Sequence, residues 1–483
     1  MLLQIIKIMQ YVKLFVLAIL AICFSHFKVS GQEYTTRSKC RQDSVLREIN
    51  LPILEIWTNG GVEPTATNVD APEGLWGTSI IDNEYVYGRM IVSLKDSIIY
   101  DSDDDGMKIR LRGNTSNLWD KRPYKLKLSK KADLLFRGEA YEDKDWVLKA
   151  VYDGLAIRVY TGSQVGQLLG LDWQPQCQMV NLVINGIYRG DYLLSESVER
   201  EKYRVDIEKT GYIIEDDAYW WNEDVYFKTS LLPNQVGWTF KYPDSEDLND
   251  SIIQNIRNFI LDFEDALNTG SDIYQYIDVQ NWAAWLLAQD ILGQSDAGGT
   301  NRFLYKEDYI PSQPSATLLK MGPLWDFDGV FERGDDWSDI HRVEYSFYFK
   351  RLLQRDDFWD SYVALWDAVK SDLLESVAEN LSSVFNSVQQ DVNKSRILNK
   401  ELHPDDDRYT PIGDEIAFVS SWLSNRIVWI EEQLRKETSI EAVQGNDVND
   451  KRVYNIYGQT MPMGVKLPNG IYVIDGKKIL IKD

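Results

Sequence analysis

Two textures of hydrophobic patterning divide the chain. From Leu51 to about Tyr242 short apolar–polar alternations recur, and from Asp250 to about Lys436 apolar residues return every three or four positions. In the first stretch Ile53 to Trp57, Tyr85 to Val92, Met107 to Arg112 and Tyr124 to Leu128 predict strands. The last two alternate cleanly, so each buries one face and wets the other. Asn181 to Leu194 reads as two strands joined at Asn185-Gly186, a pair that tolerates the positive φ of a tight hairpin turn. One helix, about Leu155 to Leu169, interrupts the strands. In the second stretch Ile252, Ile253, Ile256, Phe259, Ile260 and Phe263 share one helix face. Further helices are predicted over about Gln280 to Gly293, Phe347 to Val369, Leu373 to Val392 and Gly413 to Leu434. Strands first and helices second predict an α+β fold in two lobes, with the junction between Pro243 and Asp250. A cleft between lobes is a usual place for a ligand.

The two ends have textures of their own. Lys7 and Lys13 precede an apolar run from Leu14 to Phe24, and Val29-Ser30-Gly31 offers small residues for cleavage before Gln32. This reads as a secretory signal peptide, with lipid anchoring at Cys23 as the second option. The run is too short to span a bilayer, and no other stretch reaches that length. At the other end Val453 to Gln459 predicts a short strand and turn, and Ile471 to Ile474 and Lys478 to Ile481 predict a hairpin turning at Asp475-Gly476.

Composition narrows the chemistry. The 483 residues carry a net charge of -23, which repels nucleic-acid phosphates, so no nucleic-acid partner is expected. A nucleotide is still admissible if a divalent cation and a few local basic residues offset its phosphates. Only His26, His341 and His403 occur, which argues against multi-His metal hydrolases and most triad hydrolases. Cys40 and Cys177 remain after the leader, as a disulfide or as two free thiols with Cys177 buried. The 16 Trp are mostly core residues by expectation. Trp220-Trp221 beside Glu215-Asp216-Asp217 raises a sugar site, although acids and Trp are frequent enough here to meet by chance. Asp101 to Gly106 begins like a calcium loop, but Arg112 stands where the closing acid belongs, so a solvated turn is the better reading.

Four segments carry candidate chemistry. Arg110-Leu111-Arg112-Gly113-Asn114-Thr115-Ser116, followed by Lys121-Arg122-Pro123-Tyr124, is a small-residue loop flanked by cations, suited to phosphates or simply a solvated hairpin. Asp145-Trp146-Val147-Leu148-Lys149-Ala150, with Asp153 and Arg158, precedes Gly190 to Glu196, whose terminal Glu is placed to orient a cation. Gln294 to Lys306 sets Asp296 and Asn301 five apart on a glycine-bearing loop, a spacing that suits a base and a metal ligand. Gly322-Pro323-Leu324-Trp325-Asp326-Phe327-Asp328-Gly329 brackets a Phe with two carboxylates, the donors that hard cations take. Phosphoryl transfer needs such positioning and charge neutralisation more than covalent help from the protein.

In this order and spacing the four segments resemble the spore-coat protein H (CotH) kinase-like family over roughly residues 50 to 435. The resemblance implies an atypical protein-kinase-like fold, with a strand-rich N-lobe and a helical C-lobe, that moves phosphate from ATP to Ser or Thr of exported proteins. By motif match it implies Asp296 as the residue that positions or deprotonates the acceptor hydroxyl. It implies Asn301, Asp326 and Asp328 as ligands of Mg²⁺ or Mn²⁺. Arg112, Lys121 and Arg158 are the candidates for phosphate contact, with Glu196 orienting one of them. The tail resembles the small C-terminal modules of exported Bacteroidetes proteins, which implies export and surface sorting; a β appendage that only caps the main domain is the alternative.

The resulting expectation is a signal peptide at 1–31, a linker at 32–49, an N-lobe at 50–245, a C-lobe at 246–440 and a β module at 446–483. The mature protein is expected in the periplasm, on the cell surface or secreted. Two other readings stay open. One is a catalytically inactive adhesion or assembly module on the same fold. The other is a glycan-binding or glycan-active protein, suggested by export and Trp content.

Overall fold

The structure, a computed structural model, describes residues 40, 42–152, 155–294, 296–297, 301–309, 312–331, 338, 347–405, 409–438, 441–444, 453–455, 461, 470–474 and 477–482. The expected leader, Asp153, His341 and most of the turns in the tail lie outside the described residues.

A short helix α1 (Asp43–Glu48) leads into β1 (Ile53–Thr58), β2 (Thr67–Asp70), β3 (Thr78–Ile81), β4 (Val86–Leu94), β5 (Ser97–Asp101), β6 (Met107–Leu111), β7 (Tyr124–Ala132) and β8 (Asp143–Ala150). Helix α2 (Leu155–Leu168) then precedes the hairpin β9 (Cys177–Ile184) and β10 (Ile187–Glu196). Its turn has positive φ at both Asn185 and Gly186, as that dipeptide predicts. These strands form one sheet in the order β1-β9-β10-β8-β7-β6-β4-β5, with β2 and β3 paired apart from it. A further pairing of β1 with β4 closes the sheet on itself, so seven strands make a barrel and β5 hangs on its edge. The inward residues of the alternating strands fill it: Leu54, Ile56, Met90, Ile109, Leu126, Trp146, Leu148, Leu182 and Leu194.

Next come β11 (Tyr212–Asp217), β12 (Tyr226–Phe227) and β13 (Gly237–Tyr242), then α3 (Asp250–Thr269) and α4 (Val279–Leu292), then β14 (Arg302–Lys306) and β15 (Leu319–Met321). The second sheet runs β12-β13-β11-β14-β15. Its strands come from both sides of the expected junction at 243–250, so that junction does not separate a strand region from a helical one. The apolar faces could not reveal this, because pairing of β11 with β14 is a long-range choice. Val147, on the outer face of the barrel, packs with Ile213, Phe303, Tyr305 and Trp325, which joins the two sheets.

Helix α4 is buried on all sides and is the axle of the second half. It is followed by α5 (Phe347–Leu352), α6 (Asp356–Val369), α7 (Leu373–Phe385), α8 (Gln389–Leu402) and α9 (Ile412–Thr438). Two predicted helices are thus broken. Arg355 adopts extended backbone ahead of Asp356, ending one run. The other breaks after Phe385, where the next buried apolar position, Val392, comes seven residues on, a spacing that a continuous helix also allows. The tail has β16 (Glu441–Gln444), β17 (Val453–Asn455), β18 (Gly470–Ile474) and β19 (Lys477–Lys482) in a separate sheet, including the predicted hairpin of β18 and β19. Cys40 and Cys177 are not joined to each other by a disulfide. Among the described residues no helix is long and apolar enough to cross a membrane.

Candidate active site

The segment after β15 carries the two bracketing carboxylates. Trp325 and Phe327 turn into the protein and are buried, while Asp326 is half-buried and Asp328 exposed. Asp326 has φ 57, a left-handed conformation that costs a non-glycine residue roughly 1–2 kcal/mol. The surroundings impose it. Gln294 Nε2 donates to the Asp326 carbonyl at 2.8 Å, and the Leu324 amide donates to Gln174 Oε1 at 3.2 Å. Phe327 lies against α2 at Gly162, where an added Cβ would sit 2.0 Å from the ring. Arg158, one turn earlier on α2, donates to the Asp328 carbonyl.

Helix α4 ends at Gly293, in a left-handed cap, and opens the loop that bears Asp296 and Asn301. Gln294 is buried and bridges the two chemistry-bearing segments. Its Oε1 accepts from the Asp296 amide at 3.1 Å while its Nε2 holds Asp326. Asn301, with φ 64, uses its backbone N–H to donate to the Glu215 carboxylate. Arg302, the next residue, makes a buried ion pair with Asp216 of β11. The loop is therefore anchored at both ends while the carboxylate of Asp296 stays at the surface.

Opposing charges gather over these acids. Asp328 is pushed well above the usual carboxylate range, above all by the charge of Asp326; Lys149 and Arg158 pull it back. Asp296 is raised by loss of hydration and by Asp326. Burial lowers the Arg112 guanidinium, against the pull of Asp326, Glu215 and Asp328. Burial also lowers the Lys149 ammonium, to about 8, with Asp326 and Asp328 drawing it upward. Lys149 lies on β8 and leaves the barrel on the side opposite Leu148 and Ala150, toward Trp325.

Of the expected residues, the structure thus groups Arg112, Arg158, Asp296, Asp326 and Asp328, with Asn301 at the end of the same loop. Lys121 and Glu196 belong to other contacts. The Lys121 ammonium is buried in an ion pair with Asp191 at 2.7 Å and donates to the Val151 carbonyl at 2.8 Å. Glu196 accepts from Arg137 at 2.7 Å and from the Gln176 amide at 2.9 Å, so its cation is Arg137 rather than Arg112, Lys121 or Arg158. Both motifs sit at strand ends, where sequence does not show which distant residue arrives. The sequence reading gave Lys149 and Gln294 no role of their own and placed Glu215 only beside a possible sugar site. The signal for Lys149 was a lysine inside a strand whose neighbours Trp146, Val147, Leu148 and Ala150 are all apolar.

Trp220 of the pair beside Glu215 is engaged by its own neighbours. Trp220 packs on Tyr226 with centroids 4.7 Å apart, and its indole N–H donates to the Gln235 carbonyl. A cavity of about 360 Å³ is lined by Trp173, Tyr203, Arg204, Tyr305, Met321 and Pro323 among others, and does not include the acids above.

Whether a hard cation suits the group follows from its donors. Among the described residues no three His, Cys, Asp or Glu side chains are gathered as a ready-made metal cluster. Mg²⁺ commonly takes one or two carboxylates and completes its shell with substrate phosphates and water. Asp326 and Asp328, whose like charges repel, fit that need, because a cation between them relieves the repulsion.

No curated protein matches the chain. Among solved structures, the chain is similar to the Helicobacter pylori proinflammatory kinase CtkA at 9% identity, covering 78% of this chain and 98% of that one with a TM-score of 0.24, a likeness too slight to argue from. The family described as CotH kinase protein matches residues 109–430, about two thirds of the 483 residues. That span runs from β6 through the Asp296 loop and the Trp325–Asp328 segment into α9, and by it this chain belongs to the CotH kinase family.

Proposed function

We propose that the protein is an exported, metal-dependent kinase that transfers the γ-phosphate of ATP to Ser or Thr of secreted or surface proteins. The observation that carries this is an order of parts around one cluster. A buried helix ends in a loop with Asp296 and Asn301, a two-stranded hairpin follows, and its end delivers Asp326 beneath a lysine from the first sheet. Protein kinases set a base and a metal-binding Asn in one loop, a metal-binding Asp in the next, and a strand lysine on the phosphates. In this reading the barrel and α2 serve as the N-lobe, and α3 to α9 with β14 and β15 as the C-lobe.

The roles follow from the chemistry of each group. Asp326, Asp328 and Asn301 would hold Mg²⁺ or Mn²⁺, which neutralises and orients the phosphates. Lys149 and Arg112 supply the remaining positive charge in a partly desolvated place, where it acts more strongly than in water. Asp296 stands at the surface end of the group, where an incoming hydroxyl has access, and orients it or takes its proton. Arg158 holds the backbone of Asp328 to α2. The reading of export and of the tail as a sorting module rests on the sequence patterns at the two ends.

Incubation of the protein with γ-labelled ATP, Mn²⁺ and a mixture of exported proteins from the same cells tests the activity. Asp296→Asn is expected to lower label transfer by roughly 10²- to 10⁴-fold while ATP binding persists. Transfer by the variant at the wild-type rate would remove Asp296 from the chemistry.

A further inference from the structure

In protein kinases the lysine that meets the nucleotide phosphates is held by a glutamate on the neighbouring helix. Here the neighbouring helix is α2, and its sequence from Leu155 to Leu168 contains no Asp or Glu. Lys149 is held by something else. Its Nζ lies 3.8 Å from the centroid of the Trp325 indole. The ring is buried, and Phe303 of β14 fixes it from the side, edge-on at 83° with centroids 6.2 Å apart. The Arg112 guanidinium lies over the same ring at 5.8 Å. Trp325 is also the residue immediately before Asp326, so the ring and the carboxylate move as one piece of backbone.

We infer that Trp325 is a positioning residue that takes the place of the missing helix glutamate, holding the Lys149 ammonium by a cation–π contact beside Asp326. The inference rests on the nucleotide reading of this site. An indole face orients an ammonium without cancelling its charge, whereas a carboxylate does both. Lys149 therefore keeps its charge for the phosphates, and burial of the pair strengthens the contact because water competes less for the cation. The lowered ammonium of Lys149 agrees with this: the acids of the site act on it from a distance and do not fully offset its burial. The same arrangement ties the lysine to the segment that carries the metal ligand, so both adjust together when that segment shifts.

The test is a double-mutant cycle read by calorimetric titration of ADP with Mn²⁺, alongside thermal unfolding of each variant without ligand. The variants are Trp325→Phe, Trp325→Leu, Lys149→Met and the Trp325→Leu/Lys149→Met pair. Trp325→Leu is expected to weaken ADP binding by roughly 10- to 30-fold, the worth of a desolvated cation–π contact. Trp325→Phe keeps a ring face and is expected to recover most of that loss. The double variant is expected to bind no more weakly than Lys149→Met alone, because the indole acts through the lysine. If Trp325→Leu does not fold, Trp325→Met, which keeps bulk without a ring face, replaces it in the cycle. Losses that add in the double variant, or a Trp325→Leu protein that binds like wild type, would overturn the inference while leaving the nucleotide reading intact. Wild-type protein that binds no ADP overturns that reading and this inference with it.

Discussion

Two lysines of the first sheet region are buried and live in opposite surroundings. Lys121 is 1% exposed, and its ammonium meets the Asp191 carboxylate at 2.7 Å, the Val151 carbonyl at 2.8 Å and the ring of Tyr192 at 5.0 Å. The neighbourhood is a seam between the barrel and α8. Asn181 Oδ1 accepts from Tyr188 and from Ser395, and a Cβ at Gly190 would meet Asn399 Oδ1 at 2.2 Å. Lys149 is nearly as buried, yet its close neighbour is an indole face. A buried charge with a fixed carboxylate is part of the architecture. One whose compensation is incomplete marks a place prepared for a ligand's charge. Under the proposed function the Lys121 seam serves stability and the Lys149 cluster serves the nucleotide.

The comparison is broken most readily at Lys121. Lys121→Ala leaves Asp191 buried without its cation and is expected to cost about 3–5 kcal/mol in denaturant unfolding. The protein that remains folded should bind ATP as wild type does. Gly162→Ala comes next. The added methyl meets Phe327 at 2.0 Å, so the ring and the attached Asp326 and Asp328 must shift. A loss of about 1–3 kcal/mol is expected, with weakened nucleotide binding, by chemical denaturation and titration of the same sample. The smallest effect is on pH dependence. The Lys149 ammonium is lowered from 10.5 to about 8, so between those values the unfolded chain holds a proton that the folded protein has released. Stability from this group therefore rises with pH across that window. Lys149→Met is expected to raise the melting temperature most below pH 8, with the advantage shrinking toward pH 10.5. An advantage that stays flat with pH would mean the charge at Lys149 is not what burial penalises.

Much of the fold was legible because it depends on local period. The alternation of Met107 to Arg112 and Tyr124 to Leu128, the Asn185-Gly186 turn, the apolar face of α3 and the helix α9 all appear where the pattern sets them. Closure of the barrel through β1 and β4 was not legible, since pairing of Ile53 with Ser93 is decided by the whole sheet. The second sheet, built from 212–242 and 302–321, escaped for the same reason. At the site, carboxylates bracketing Phe327 and the Asp296–Asn301 spacing pointed to residues that the fold does gather. The sequence made Lys121 a candidate for phosphate contact and gave Lys149 no role. Asp191, which makes Lys121 structural, lies 70 residues away, and Trp325, which receives Lys149, lies on a different sheet's connection.

The central claim is that the cluster around Asp326 takes a metal-bound nucleotide. Calorimetric titration of ATP into the protein from Gln32 onward, with and without Mn²⁺ or Mg²⁺, alongside Asp326→Ala, addresses it most directly. The account predicts binding that requires the cation and that falls by roughly 10²-fold or more in the variant, the scale of losing one main electrostatic contact. A folded wild-type protein that binds no ATP under either cation, or an Asp326→Ala protein that binds it unchanged, would contradict the account.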